Sequence, residues 1–270
     1  MNIQRLILWS WGLGTLGFLY VPVLLLILFS FNHSPMAVTW DGFSLEWYRQ
    51  LLHNRGLWEA TKNSLLIAGS STLISVIMGT GAAIVLHQRA MEKWRLLTMT
   101  LLTPLVIPEI LMGVALLLFF VMVRMPLGLL SVTISHIVFN LPLVVVIIQS
   151  RLRKLDPTLN EAARDLGATP WQTFWWITFP LLKPAIAGAA LMAFTISLDD
   201  FVVTFFTTGP GATTLPLKVF SLIKTGITPE VNALSTLLVV ASMLFIALSL
   251  FFQQQPVTSR SSDQEKETES

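Results

Sequence analysis

Three carboxylates sit where an apolar chain rarely keeps charge. Glu109 lies in TPLVIPEILMG, and Asp199 and Asp200 lie in FTISLDDFVV, each inside a run apolar enough to enter a membrane. A carboxylate placed within a span is costly, so it faces a cavity or a partner. Pro104 and Pro108 precede Glu109 and lack an N–H, which frees the carbonyls of residues 100 and 104. Ser197 stands three residues before Asp200 and can share its helix face. Anions beside freed carbonyls suit a cation in transit. Trp47 and Tyr48 can add cation–π contacts at the outer mouth of such a path. Blander roles stay open. The aspartates can pair with basic residues of a partner subunit or act as solvated caps, and Glu109 can be a structural acceptor. Trp47 and Tyr48 can be interfacial anchors. Neighbouring aspartates point about 100° apart around a helix, so spacing leaves open which one faces a cavity.

A second constellation is a polar island, LDPTLNEAARDLGATPWQTFWWITFP, from Leu155 to Pro180. Asp156-Pro157 is a start signal for a helix, and Gly167 is a stop. Thr169-Pro170 opens a second helix through Trp171 to Ile177, which Pro180 is expected to end. Glu161, Ala162 and Ala163 lie midway along the first helix. Two alanines allow close approach and the glutamate adds a charged anchor, a combination suited to a groove on another protein. A soluble helix-turn-helix is disfavoured, because its recognition helix would carry Trp171, Phe174, Trp175 and Trp176 in place of a basic face.

The elements that must position these residues follow from composition. Charged residues make up 12% of the chain, hydrophobic residues 54%, and the mean hydropathy is +0.71. Soluble domains carry about 25% charged residues. The chain is therefore expected to be an all-α membrane protein with six transmembrane helices: Leu6–Phe31, Ser64–Leu86, Leu96–Val123, Leu129–Gln149, Leu181–Phe206 and Val231–Phe252. The first reads as a retained helix, since no small-x-small cleavage site follows it. Residues 32–62 form an outer loop with a short interfacial helix over Leu45–Leu52. Thr207–Glu230 is a loop with a turn at Gly209-Pro210-Gly211. Residues 253–270 read as a disordered tail. Eleven of the seventeen Lys and Arg residues fall on the side of the N-terminus, which puts both termini and the polar island in the cytoplasm.

Several function classes drop out. There is no G-x4-G-K-[ST] loop to cradle phosphates and no H-E-x-x-H metal motif. Cysteine is absent, which excludes disulfides and thiolate chemistry. His33, His53, His87 and His136 are scattered over different segments and read mostly as loop or interface histidines. No catalytic residues, metal or nucleic-acid partner are expected.

The island resembles the EAA loop of type I ABC importer permeases, EAA-x3-G-x9-I-x-L-P. It matches at Glu161, Ala162, Ala163, Gly167, Ile177 and Pro180, and departs only at Phe179, where the family has leucine. Beyond the island, FLYVPVLLLILFSFN from Phe18, TPLVIPEILMG from Thr103, EAARDLGATP from Glu161 and FTISLDDFVVTFFTTGPGATTLP from Phe194 resemble the spermidine/putrescine permeases of that family, over residues 1–252. The resemblance implies a MetI-like fold, with a type-1 transmembrane domain over residues 63–252 and a cytoplasmic coupling loop over 151–180. It implies a non-catalytic inner-membrane subunit. Its partners would be a homologous second permease subunit, two copies of an ATP-binding subunit that use ATP and Mg²⁺, and a periplasmic polyamine-binding protein. An ABC permease for another small solute, an ion-coupled secondary transporter with the carboxylates relaying protons, and a non-conducting scaffold are the rival readings.

Overall fold

The computed structural model describes residues 3–34, 39–88, 95–156, 158–225 and 229–253. These residues are helical apart from turns, loops and one isolated antiparallel bridge, Asn32 to Phe43. The helices are α1 (Ile3–Phe29), α2 (Glu46–His53), α3 (Arg55–Gln88), α4 (Arg95–Leu102), α5 (Glu109–Met122) and α6 (Leu129–Leu152). They continue as α7 (Thr158–Asp165), α8 (Pro170–Thr173), α9 (Phe179–Asp199), α10 (Val202–Thr207), α11 (Leu215–Thr225) and α12 (Pro229–Gln253). The chain divides into two compact units, Met1–Asn54 with Leu222–Ser270, and Arg55–Ser221.

In the first unit α1 packs on α12, and α12 on α2. Leu8, Trp9, Trp11, Phe18 and Leu24 of α1 all face outward. Soluble monomers rarely leave so long an apolar surface uncovered, and lipid is the solvent that suits it. The loop after α1 is pinned by Asn32, which is fully buried. Its amide donates to the Thr39 carbonyl at 2.7 Å and its side-chain oxygen accepts from the Asp41 N–H at 2.9 Å. Phe31 stacks on Phe43 with centroids 5.3 Å apart.

The second unit is built on α3, α6 and α9, which pack pairwise. Their shared core holds Ala83, Val144, Ile148, Leu182, Ala189 and Ala193. Alanines at such contacts let helix backbones approach closely, which is how helices associate without a hydrophobic drive in lipid. Arg151 Nε donates to the Leu181 carbonyl at 3.3 Å and ties the end of α6 to the start of α9.

Several sequence-based boundaries need correction. The second span, Ser64–Leu86, lies within a longer helix. Its helix starts at Arg55, inside the expected loop, because Leu57 and Ala60 supply a buried face to that first stretch. The third span is bent by 109° between Leu105 and Glu109, where Pro108 adopts ψ 135 and breaks the ladder. The fifth does not run to Phe206. It occupies Pro170–Asp199 and stops where Asp200 turns extended at ψ 121. The loop after it contains helix α11. The first, fourth and sixth spans fall on α1, α6 and α12. Residues 89–94 between the second and third spans, Pro157 and the tail from 254 lie outside the described residues.

Gly209, between α10 and α11, is packed so tightly that a Cβ there would collide with the Leu127 carbonyl. Backbone cannot swing aside as a side chain can. Gly209→Ala is therefore expected to destabilise the protein by about 1–3 kcal/mol, read as a thermal-unfolding midpoint lowered by several degrees in detergent. Gly188→Ala in α9, where a Cβ meets nothing within 4 Å, should leave the midpoint in place.

Candidate functional site

Two of the three carboxylates are brought to one place. Glu109 and Asp200 line a cavity of about 190 Å³ together with Pro104, Ile107, Met112 and Phe139. The bend between α4 and α5 makes this possible. Glu109 is the first residue of α5, exposed, with Pro108 before it. Asp200 occupies the break between α9 and α10.

Asp200 is both a cap and a cavity wall. Its Oδ2 accepts from the Thr204 N–H at 2.8 Å and from the Thr204 hydroxyl at 2.7 Å. These bonds start α10, as an aspartate at a helix N-terminus does. His136 Nε2 lies 3.3 Å from the same oxygen. Among the described residues Oδ1 has only a long contact, 3.4 Å from the Val203 N–H.

The other expected path residues have different surroundings. Asp199 is exposed at the last turn of α9 and does not line the cavity. Ser197 is buried, with its hydroxyl 2.6 Å from His136 Nδ1 and 3.1 Å from Ser71 Oγ. It shares the His136-facing side with Asp200 but not the cavity wall. Trp47 and Tyr48 belong to the first unit. There the Trp47 indole donates to the Asn32 carbonyl at 2.8 Å, and the Tyr48 hydroxyl meets Ser30 Oγ at 2.6 Å.

His136 is the residue that sequence reasoning missed. It is no loop or interface histidine: it lies inside α6, 1% exposed, and touches α9 and α10 through Ser197 and Thr204. The signal was present, since an ionisable side chain within a span is a functional candidate whether acid or base.

The polar island forms an elbow of two short helices, α7 and α8. Asp156 Oδ1 accepts from the N–H and the hydroxyl of Thr158 at 3.0 and 2.8 Å and opens α7. Those bonds, the backbone one first, hold the Asp156 carboxyl below its ordinary range. Its capping contribution is thus present above the unfolded pKa and lost as pH falls through the lower folded value. Gly167 closes α7 at φ +82, with its N–H on the Arg164 carbonyl and the Ala168 N–H on the Ala163 carbonyl, both 2.9 Å. That pair of bonds is a Schellman ending, and the left-handed φ is why glycine stands there. Thr169 and Gln172 then form a reciprocal capping box that opens α8.

Pro180 does not end the second helix, contrary to expectation. Phe174–Thr178, including the half-buried Ile177, winds as a π-turn, with the Phe179 N–H bonded to the Phe174 carbonyl. The wider turn absorbs the proline, which sits at the second position of α9, where a missing N–H costs little. The elbow is therefore continuous with the α9 span. Glu161 and Ala162 face outward, while Ala163 is buried. Leu166 is 90% and Trp176 81% exposed, so the elbow presents apolar surface around its acidic residue.

Residues 71–256 match the family described as binding-protein-dependent transport system inner membrane component. The putrescine transport system permease protein PotI of Escherichia coli K12 is 43% identical over 228 residues, 82% of this chain and 81% of the relative. The spermidine/putrescine transport system permease protein PotC of the same strain is 36% identical over 261 residues, 97% of this chain and 99% of the relative. Among solved structures, a bacterial alginate ABC transporter in complex with an alginate pentasaccharide-bound periplasmic protein has a chain that superposes with TM-score 0.71. It covers 95% of this chain and 96% of its own, at 18% identity, a likeness of fold alone.

Proposed function

The chain belongs to the family of binding-protein-dependent transport system inner membrane components, and from that premise we propose that it is the permease subunit of an ATP-driven importer of the polyamines putrescine and spermidine. The observation that carries the substrate is the cavity shared by Glu109 and Asp200. A polyamine is a flexible chain of ammonium groups. Low-dielectric walls strengthen its attraction to each carboxylate, and two carboxylates at one cavity match two charges on one molecule. Relatives named for putrescine and spermidine transport support the same substrate class.

In this reading Asp200 and Glu109 contact ammonium groups in transit. Asp199, Ser197, Trp47 and Tyr48 lie off the wall of this cavity and have no direct part in that contact. The elbow, with Glu161, Ala162 and Ala163, docks on an ATP-binding subunit. Two such subunits bind ATP and Mg²⁺, close, and pass the motion through Gly167, Ile177 and Pro180 into α9, which alternates access to the cavity. A homologous second permease subunit completes the pore, and a periplasmic binding protein delivers the polyamine. Both termini and the elbow lie in the cytoplasm, as the distribution of Lys and Arg suggests.

The test is uptake of labelled putrescine, spermidine and an anionic control by the reconstituted complex, with and without ATP. ATP-dependent accumulation of the two polyamines alone is the expected result. Uptake of the anion, or uptake driven by a proton gradient without ATP, would sink the reading.

A further inference from the structure

The hydrogen positions around His136 can be read from its neighbours. A carboxylate only accepts, so the single Thr204 hydroxyl proton goes to Asp200 Oδ2 at 2.7 Å. The same hydroxyl oxygen lies 2.9 Å from His136 Nε2 and must accept there. Nε2 therefore carries a proton, and Asp200 Oδ2 lies 3.3 Å from it. On the other side Nδ1 is 2.6 Å from Ser197 Oγ, which meets Ser71 Oγ at 3.1 Å. The imidazole is thus fixed at both nitrogens, by α9 and α10, and it is 1% exposed. It does not line the cavity.

Among the described residues, the three short or charge-assisted contacts of Asp200 converge on one oxygen, Oδ2, while Oδ1 has the 3.4 Å contact to Val203. We infer that His136 is a positioning residue for Asp200: with Thr204 it fixes Oδ2 against α10 and leaves Oδ1 as the oxygen offered to the cavity. This rests on the substrate role proposed above for Asp200. A carboxylate held by one oxygen presents the other without losing side-chain freedom when an ammonium arrives, which is what preorganisation contributes to binding.

The two amide substitutions separate this role from simple filling of space. Glutamine places its amide N–H near the position of Nε2 and can keep the Asp200 and Thr204 contact. Asparagine reaches only as far as Nδ1 and keeps Ser197 alone. The experiment measures putrescine uptake against concentration in the reconstituted importer, together with complex yield, for His136→Ala, His136→Gln and His136→Asn. Each is made in the parent and in an Asp200→Asn background. Losing a hydrogen bond to a charged group should raise the KM of His136→Ala about tenfold, with maximal velocity per assembled complex within about twofold. His136→Gln should return KM to within about threefold of the parent, whereas His136→Asn should resemble alanine. On the Asp200→Asn background His136→Ala should add less than about twofold, because the group it positions is already gone.

An unchanged KM in His136→Ala, rescue by asparagine as full as by glutamine, or an undiminished effect beside Asp200→Asn overturns the assignment. If His136→Ala does not assemble, the glutamine–asparagine comparison decides alone. An Asp200→Asn importer with the parental KM instead overturns the substrate role of Asp200, a result distinct from any of these.

Discussion

Asp200→Asn is expected to raise the apparent KM for putrescine at least tenfold, roughly the cost of one charge-assisted contact, while the complex still assembles. Asparagine is as good a helix cap as aspartate, so α10 keeps its start. The damage is to charge and polarity. Oδ2 receives two donors from Thr204 and faces a third on His136. If the asparagine carbonyl takes that place, its NH₂ points into the cavity towards an incoming ammonium. If the amide flips, NH₂ opposes the Thr204 and His136 donors. Neither orientation restores an acceptor at both positions. Asp199→Asn should change KM by less than about twofold, because Asp199 is exposed at the end of α9 and off the cavity wall. The double substitution should therefore match Asp200→Asn alone. Initial uptake rates across putrescine concentrations check all three. A loss carried by Asp199, or a parental KM in Asp200→Asn, would move the path elsewhere.

What the sequence discloses here depends on whether the signal is local. Caps and stops are local, so Asp156, Gly167 and Thr169 act as their types predict. Apolar length is local too: four of the six expected spans fall on helices long and apolar enough to cross a membrane, the third does so only as a bent pair, and the sixth, among the described residues, on a shorter apolar helix, Pro229–Val240. The failures involve partners distant in sequence. Nothing in Asp199-Asp200 says which aspartate turns inward. That choice is made by the break after α9, where Asp200 meets Thr204 four residues on and His136 across the bundle. A proline ordinarily ends a helix, and Pro180 would have done so without the π-turn before it, which no propensity announces. The tight bend at Pro104 and Pro108 is legible as an interruption but not as 109°. His136 carries no local mark of its role, because its partners Ser197 and Thr204 stand 61 and 68 residues further along the chain.

Glu161→Lys is expected to release the ATP-binding subunit and bring ATP-dependent uptake to background. Its effect on the permease itself is small. Glu161 is exposed in the first turn of α7, lysine is as good a helix former, and a basic residue near a helix N-terminus costs only about 0.3–1 kcal/mol. At an interface the same reversal sets like against like, which costs several kcal/mol in a docked complex. Glu161→Gln removes the charge without reversing it and should weaken co-purification less. The two alanines then separate docking from folding. Ala162 faces outward, so Ala162→Leu should obstruct docking while leaving the unfolding midpoint in place. Ala163 is buried, so Ala163→Leu should lower the midpoint by overpacking the elbow before docking is tested at all. Affinity capture of the complex, run beside thermal unfolding of the permease alone, reads both effects. Undiminished capture in Glu161→Lys would mean that the partner grips another surface. The continuity of the elbow with α9 would then have no part in coupling.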